Sequence, residues 1–148
     1  MFNSSGIKLL LVLAEPVLAD LTSFRLELLG YQVETVATGS EANASISIAT
    51  PDLIIIDTQL RDGDGLEWIA RARNDQTIAN TPVLVISLDT SLETVERAHH
   101  ASAQDYLISP FDPTVMEEKI EQLLATRFAN TGRKQAKNQA TKPQGLKR

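Results

Sequence analysis

Asp57 is the carboxylate with the strongest claim to chemistry in this chain of 148 residues. It closes the run Asp52-Leu53-Ile54-Ile55-Ile56-Asp57 and precedes Thr58-Gln59-Leu60-Arg61-Asp62-Gly63-Asp64-Gly65, a stretch of turn formers. A continuous apolar run reads as a strand buried on both faces of a parallel sheet. Ligands and reactive groups in such sheets gather outside the carboxyl ends of the strands, where Asp57 stands. A carboxylate there can bind or react only if it has companions; alone, it caps the loop behind it. Ser87 and Ser109 end two later apolar runs, and loop hydrogen bonding accounts for them as well as a reactive role does. The chain has no cysteine, which removes disulfides, thiolate catalysis and Cys-based zinc sites. Its two histidines, His99 and His100, are adjacent and close a helix, where positive charge favours the helix dipole. Asp62-Gly63-Asp64-Gly65 lacks the rest of a calcium loop and reads as turn chemistry. Gln59 interrupts any Asp-x-Asp pair, and no Gly-x-Gly-x-x-Gly pattern points to a dinucleotide. No constellation for enzymatic catalysis remains.

The elements that must position Asp57 follow from periodicity. Ile7 to Ala14 reads as a central strand stopped by Glu15-Pro16. Val17 to Leu29 reads as a helix with Val17, Leu18, Leu21, Phe24, Leu28 and Leu29 as its apolar stripe and Gly30 as its stop. Tyr31 to Ala37 is a shorter, more exposed strand. Ser40 is placed to cap a weak helix over Glu41 to Ala49. After the Asp57 strand, Asp64 caps a helix over Gly65 to Asn74 with Leu66, Ile69 and Ala70 inward; Trp68 fits either face. Val83 to Ser87, Ser91 to His100 and Asp105 to Ile108 supply a strand, a helix and a strand. Pro113 opens a last helix, Thr114 to about Phe128, with Val115, Ile120, Leu123 and Leu124 inward. Five βα repeats predict an α/β fold, a parallel sheet covered by helices on both faces.

Composition sets the remaining bounds. Hydrophobic residues make up 43% of the chain, enough for one packed core at this size. Residues 129–148 hold six basic groups and no acidic one; the other 128 residues hold 8 basic and 19 acidic groups, a net of −11. Dominated by Gln, Lys, Asn, Thr and Gly and without apolar periodicity, 129–148 reads as a disordered basic tail; residues 1–6 read as a frayed N-terminus ahead of a single domain over 7–128. The tail is too short and polar for a DNA-binding domain, so nucleic acid is expected only as a weak, salt-dependent contact through it. No stretch approaches the 18 apolar residues of a membrane span. Lys8 and the apolar residues after it carry a faint likeness to a signal peptide, but Glu15-Pro16 cuts the run short. A cytoplasmic setting without membrane insertion is the expectation.

Five landmarks fall together: Glu15-Pro16 after the first strand, Asp57 ending the third, Asp64-Gly65 behind it, Ser87 ending the fourth, and Ser109-Pro110-Phe111 ending the fifth. This arrangement resembles the receiver domain of bacterial response regulators, from Lys8 to about Phe128. The resemblance implies a flavodoxin-like (CheY-like) five-stranded sheet and a role in phosphorelay signalling. In that family a histidine kinase passes a phosphoryl group to the central Asp with Mg²⁺, and a Ser/Thr and a Lys then hold the dianion. Carried over by position, Asp57 matches the phosphoacceptor, Ser87 the switch hydroxyl, Tyr106 the switch aromatic, Ser109 the place of the lysine, and Gln59 the residue whose carbonyl would ligate the metal. The departures are as informative. Leu13-Ala14 stands where the family commonly has its acidic pair, Ser109 replaces the lysine, Arg61 replaces a usual loop proline, and Leu88 replaces a small residue. Asp57 and the Gln59 carbonyl are a weak remnant of a metal site, and Mg²⁺ binding is expected to be poor or absent. A lysine would give the phosphoryl group a charge-assisted bond worth roughly 1.5–3 kcal/mol, and a serine gives less. The sequence therefore reads as a pseudo-receiver that binds a protein partner, a histidine kinase or a downstream signalling protein. The alternative is a receiver that still accepts a phosphoryl group on Asp57.

Overall fold

The chain is described by a computed structural model covering residues 5–75 and 78–140. Its elements are β1 (Lys8–Val12), α1 (Pro16–Leu28), β2 (Gln32–Val36), α2 (Gly39–Ile48), β3 (Leu53–Asp57), β4 (Gln59–Leu60), β5 (Gly63–Asp64), α3 (Gly65–Asn74), β6 (Val83–Ser87), α4 (Leu92–His100), β7 (Asp105–Ile108) and α5 (Pro113–Ala140). Five strands form a parallel sheet in the order β2-β1-β3-β6-β7. This is the parallel α/β architecture expected from the βα repeats, with the flavodoxin-like form that the receiver resemblance implies. The fourth and fifth sheet strands are β6 and β7, because the loop behind Asp57 folds into the small antiparallel hairpin of β4 and β5.

Alternation along the strands sends successive side chains to opposite faces. Leu9, Leu11, Ile55, Leu84 and Ile86 pack on one side with Leu26 of α1 and Ile120 and Leu124 of α5. Leu10, Val12, Ile54, Ile56, Val83 and Val85 pack on the other with Ile46 of α2, Trp68 and Ile69 of α3 and Ala98 of α4. β3 lies between β1 and β6, so Leu53 to Ile56 are fully buried. Each such side chain contributes about 1.5–3 kcal/mol. The strand that ends in Asp57 is, like β1 and β6, paired on both sides and buried.

Several helix faces differ from expectation. On α1 the inward positions are Ala19, Thr22 and Leu26, while Val17, Leu21, Phe24 and Leu28 are 62–71% exposed. Small inward residues let α1 lie close to the sheet, and the longer apolar stripe is left facing out. On α3 the buried residues are Leu66, Trp68, Ile69 and Ala72, and Ala70 is exposed. On α5, Met116 is buried where Val115 was expected. α2 starts two residues early: Thr38, not Ser40, is its N-cap, with Oγ1 accepting from Glu41 N at 3.0 Å. α5 continues to Ala140, where the composition predicts an unstructured tail from 129 onward. Arg133, Lys134, Gln135, Ala136 and Lys137 are good helix formers and no proline interrupts them before Pro143. The expected frayed residues Met1 to Ser4 and tail residues 141–148 lie outside the described segments.

Two polar side chains fasten helices to loops. Trp68 is buried beneath the start of α2, where its Nε1 donates to Asn43 Oδ1 at 2.9 Å and to the Gly39 carbonyl at 3.2 Å. A Cβ on Gly39 would come within 2.7 Å of the Trp68 ring, so only glycine fits there. Arg73, near the end of α3, donates to the Thr81 carbonyl at 2.9 Å, to the Ser102 carbonyl at 2.8 Å and to Gln104 Oε1 at 3.0 Å. Its guanidinium joins the loop before β6 to the turn between α4 and β7.

Candidate functional site

Asp57 is half-buried at the carboxyl end of β3, opposite Ile86 of β6. Its Oδ1 accepts the Gln59 backbone N–H at 3.1 Å, and the Thr58 hydroxyl lies 3.4 Å away. The hairpin returns to it: Gly65 N donates to the Thr58 carbonyl at 2.9 Å. A Cβ on Gly65 would lie 2.0 Å from the Asp57 carbonyl oxygen. The absence of a side chain at Gly65 is what lets α3 begin directly against the site.

The Ser87 side chain is buried at the end of β6, and its Oγ lies 2.9 Å from Thr58 Oγ1. It also accepts the Asp89 N–H at 3.0 Å. Asp89 in turn accepts from Ser91 N at 2.8 Å and from the Thr94 hydroxyl at 2.6 Å. These donors hold the Asp89 carboxyl below the usual carboxylate range, Thr94 contributing most. The half-buried Tyr106 donates its hydroxyl to the Asp89 carbonyl at 2.9 Å. One hydrogen-bonded path therefore runs from Asp57 through Thr58 and Ser87 to the start of α4 and on to Tyr106.

These groups face an open cavity of about 340 Å³, lined by Asp57, Thr58, Asp64, Ser87, Asp89 and Arg97 among others. Arg97 reaches in from α4 and donates to Asp64 Oδ2 at 2.8 Å. The other oxygen of Asp64 caps α3, accepting from Leu66 N at 2.7 Å and Glu67 N at 3.2 Å. Burial pushes the Asp64 carboxyl up, but Arg97 and the amides of Glu67 and Leu66 outweigh it and hold the group low. Next to the cavity, the hairpin's Asp62 accepts from Gly39 N at 2.8 Å and Ser40 N at 3.1 Å, which ties it to the start of α2.

The candidates named from the sequence are not all assembled here. Asp57, Gln59 and Ser87 share the cavity, and Tyr106 reaches it through Asp89. Ser109 stands outside the cavity lining and offers its backbone N–H to the Ser87 carbonyl at 2.8 Å. Arg61, the loop cation placed near Asp57 by sequence, is exposed and lies outside the lining; the cation at the cavity is Arg97. Leu13 is 2% exposed, part of the core beneath the site. Glu15 caps α1, its carboxylate accepting from Leu18 N at 2.7 Å and Val17 N at 3.2 Å. Thr58, Asp89, Thr94 and Arg97 were missed. The signal for two of them was available: Thr94 and Arg97 follow the cap Ser91 at intervals of three, which places them on one helix face.

The parallel order with Asp57 at the carboxyl end of the central strand defines a doubly wound domain with its site at the carboxyl edge. The chain belongs to the response regulator receiver domain family, whose model matches residues 9–121, the receiver class of two-component signalling. It is 32% identical over 117 residues to the DNA-binding dual master transcriptional regulator RpaA of Synechocystis sp., covering 79% of this chain and 48% of that protein. It is 33% identical over 121 residues to the transcriptional regulatory protein TrcR of Mycobacterium tuberculosis, covering 82% of this chain and 45% of that protein. The chain thus spans about half the length of these curated relatives. A CheY-like receiver domain protein of Methanospirillum hungatei superposes with a TM-score of 0.79 at 27% identity, covering 84% of this chain and 98% of that one. The chemotaxis protein CheY4 of Vibrio cholerae superposes with a TM-score of 0.74 at 29% identity, covering 79% and 98%. Among the described residues no helix is long and apolar enough to cross a membrane.

Proposed function

We propose that this receiver domain acts as a pseudo-receiver, a cytoplasmic adaptor whose output does not depend on Mg²⁺-assisted phosphorylation of Asp57. The observation that carries this reading is the end of β1. Leu13 is packed into the core and Ala14 follows it, so hydrocarbon stands where the family offers metal oxygens. Mg²⁺ asks for oxygen donors in a near-octahedral array, commonly with one or two carboxylates. Asp64 and Asp89 also face the cavity, but their oxygens are committed to the α3 cap, Arg97, Ser91 and Thr94. Glu15 is committed to α1. This donor set does not fit the ion. The Asp57 carboxylate is held by the Gln59 amide and the Thr58 hydroxyl, and Asp64 has Arg97 as its cation.

The partner surface in this reading is the face of α4, β7 and α5, where Leu88, Leu92, Ile108 and Val115 are exposed. Exposed apolar groups on one face favour a protein partner over nucleic acid. A histidine kinase or a downstream signalling protein fits that chemistry, and nucleic acid would touch the basic tail only weakly. The second reading, a phosphoryl acceptor on Asp57, draws support from the open cavity that joins Asp57 to the Thr58 and Ser87 hydroxyls. An NMR titration with beryllofluoride and Mg²⁺ separates the two. The pseudo-receiver gives flat spectra at Asp57, Ser87 and Tyr106 through millimolar ligand. Saturating shifts at those residues would replace it with the acceptor.

A further inference from the structure

Helix α1 is amphipathic in the unusual sense. At 100° per residue, Ala19, Thr22 and Leu26 face the sheet, and Val17, Leu21, Phe24 and Leu28 lie on the side directly away from it. These four are 62%, 64%, 62% and 71% exposed. Their spacing of four, three and four is the seam of a helix that packs against another helix. Charges stand only at the margins, with Asp20 and Glu27 on one flank and Arg25 on the other. The occupant of such a seam is a helix whose own seam is apolar and whose flanks answer those charges.

We infer that the occupant is α1 of a second copy of this chain, packed in parallel about a two-fold axis. In a parallel pair the flanking positions that meet are five residues apart. That sets Asp20 of each copy beside Arg25 of the other, twice by symmetry. Arg25 already pairs with Glu117 of α5, and its fork of five donors can serve both carboxylates. An antiparallel pair would set Asp20 against Glu27, like charge on like charge. Because the seam points away from its own sheet, the two bodies lie on opposite sides of the paired helices and do not collide. Four side chains this exposed leave roughly 400 Å² of apolar surface open on each copy. With the flanking residues the pair covers about 1,000 Å², the lower edge of a specific interface.

The full chain, followed by sedimentation velocity from about 5 to 200 µM, is expected to pass from monomer to dimer, with a dissociation constant on the order of 10 µM. Leu21→Glu puts a charge in the seam and should weaken the dimer at least tenfold; Asp20→Lys should weaken it severalfold, most at low salt. Both positions are exposed, so thermal unfolding by circular dichroism at about 1 µM, where the wild type is monomeric too, should stay unchanged and separate loss of pairing from loss of fold. The chain has no cysteine of its own, so Val17→Cys is a clean probe of orientation. A parallel pair brings the two substituted positions together and gives a disulfide-linked dimer on a non-reducing gel. An antiparallel pair would keep them far apart. A wild-type chain monomeric at 200 µM overturns the inference, as does a dimer that survives Leu21→Glu or fails to cross-link through Val17→Cys.

Discussion

Replacing Gly65 with alanine tests how the candidate site is built. The new Cβ would sit 2.0 Å from the Asp57 carbonyl oxygen, 3.1 Å from its carbon and 3.4 Å from Ile56 Cγ1. The carbonyl has little room to retreat, because Asp57 is paired with Ile86 of β6 and the preceding Ile56 is held on both sides, by Val12 and Val85. The first turn of α3 must move instead, by about 1 Å, and an insertion of this kind costs about 1–3 kcal/mol. The same movement breaks the 2.9 Å bond from Gly65 N to the Thr58 carbonyl, a further loss of about 1 kcal/mol. The expected total is about 3 kcal/mol, a large share of the roughly 5–15 kcal/mol that stabilises a domain. Urea unfolding followed through Trp68, the chain's one tryptophan, reads this directly. With a slope of about 2 kcal/mol per molar, the midpoint should fall by about 1.5 M. A midpoint within about 0.3 M of the wild type, at unchanged slope, would refute the account of α3 seated against Asp57.

Ser87→Ala should cost about 1–2 kcal/mol in the same assay, because it strips a partner from the Asp89 N–H and from Thr58. Arg97→Ala removes an ion pair whose side chains are 44% and 32% exposed, so the loss should stay under about 1 kcal/mol and shrink with added salt. Acid should destabilise the fold for a stated reason. The amides of Gly39 and Ser40 hold the Asp62 carboxyl low, and the Ala37 amide does the same for Glu41. Groups depressed in this way bring stability that is full above their unfolded pKa, near 4, and is lost as pH falls through the lower folded values. Melting temperatures should therefore drop below about pH 4, and Asp62→Asn should flatten part of that slope.

The sheet was legible because its strands are short, apolar and punctuated, and β6 and β7 fall where periodicity puts them. The Asp64 cap of α3 was equally plain, since Asp followed by Gly and an apolar residue offers few alternatives. The face of α1 was not legible. Periodicity finds an apolar stripe but does not say what the stripe touches, and here the sheet takes Ala19, Thr22 and Leu26. At the site, Asp57 and Ser87 could be placed because each ends a buried strand. Arg97 could not, because its position depends on how α4 lies across the mouth of the cavity, which no local pattern encodes. Arg61 is the nearer cation in sequence, yet Arg97 is the one that lines the cavity with Asp57.

Arg73 bears on how α4 can move. It grips the Ser102 carbonyl just beyond the end of α4, where Ser102 adopts the left-handed conformation usually left to glycine. The same guanidinium holds Thr81 and Gln104 at the foot of β6. The far end of α4 is therefore pinned to the sheet. Its near end rests on the Asp89 carboxylate through Ser91 and Thr94, and farther along the helix Arg97 pairs with Asp64 across the cavity that Asp57 lines. A rod fixed at one end and lightly held at the other has a single soft motion, a swing of the free end. Any event that loosens the contacts around Asp57 would tilt α4 about Arg73 and shift the exposed Leu88 and Leu92 together, as a lever rather than as a melting helix.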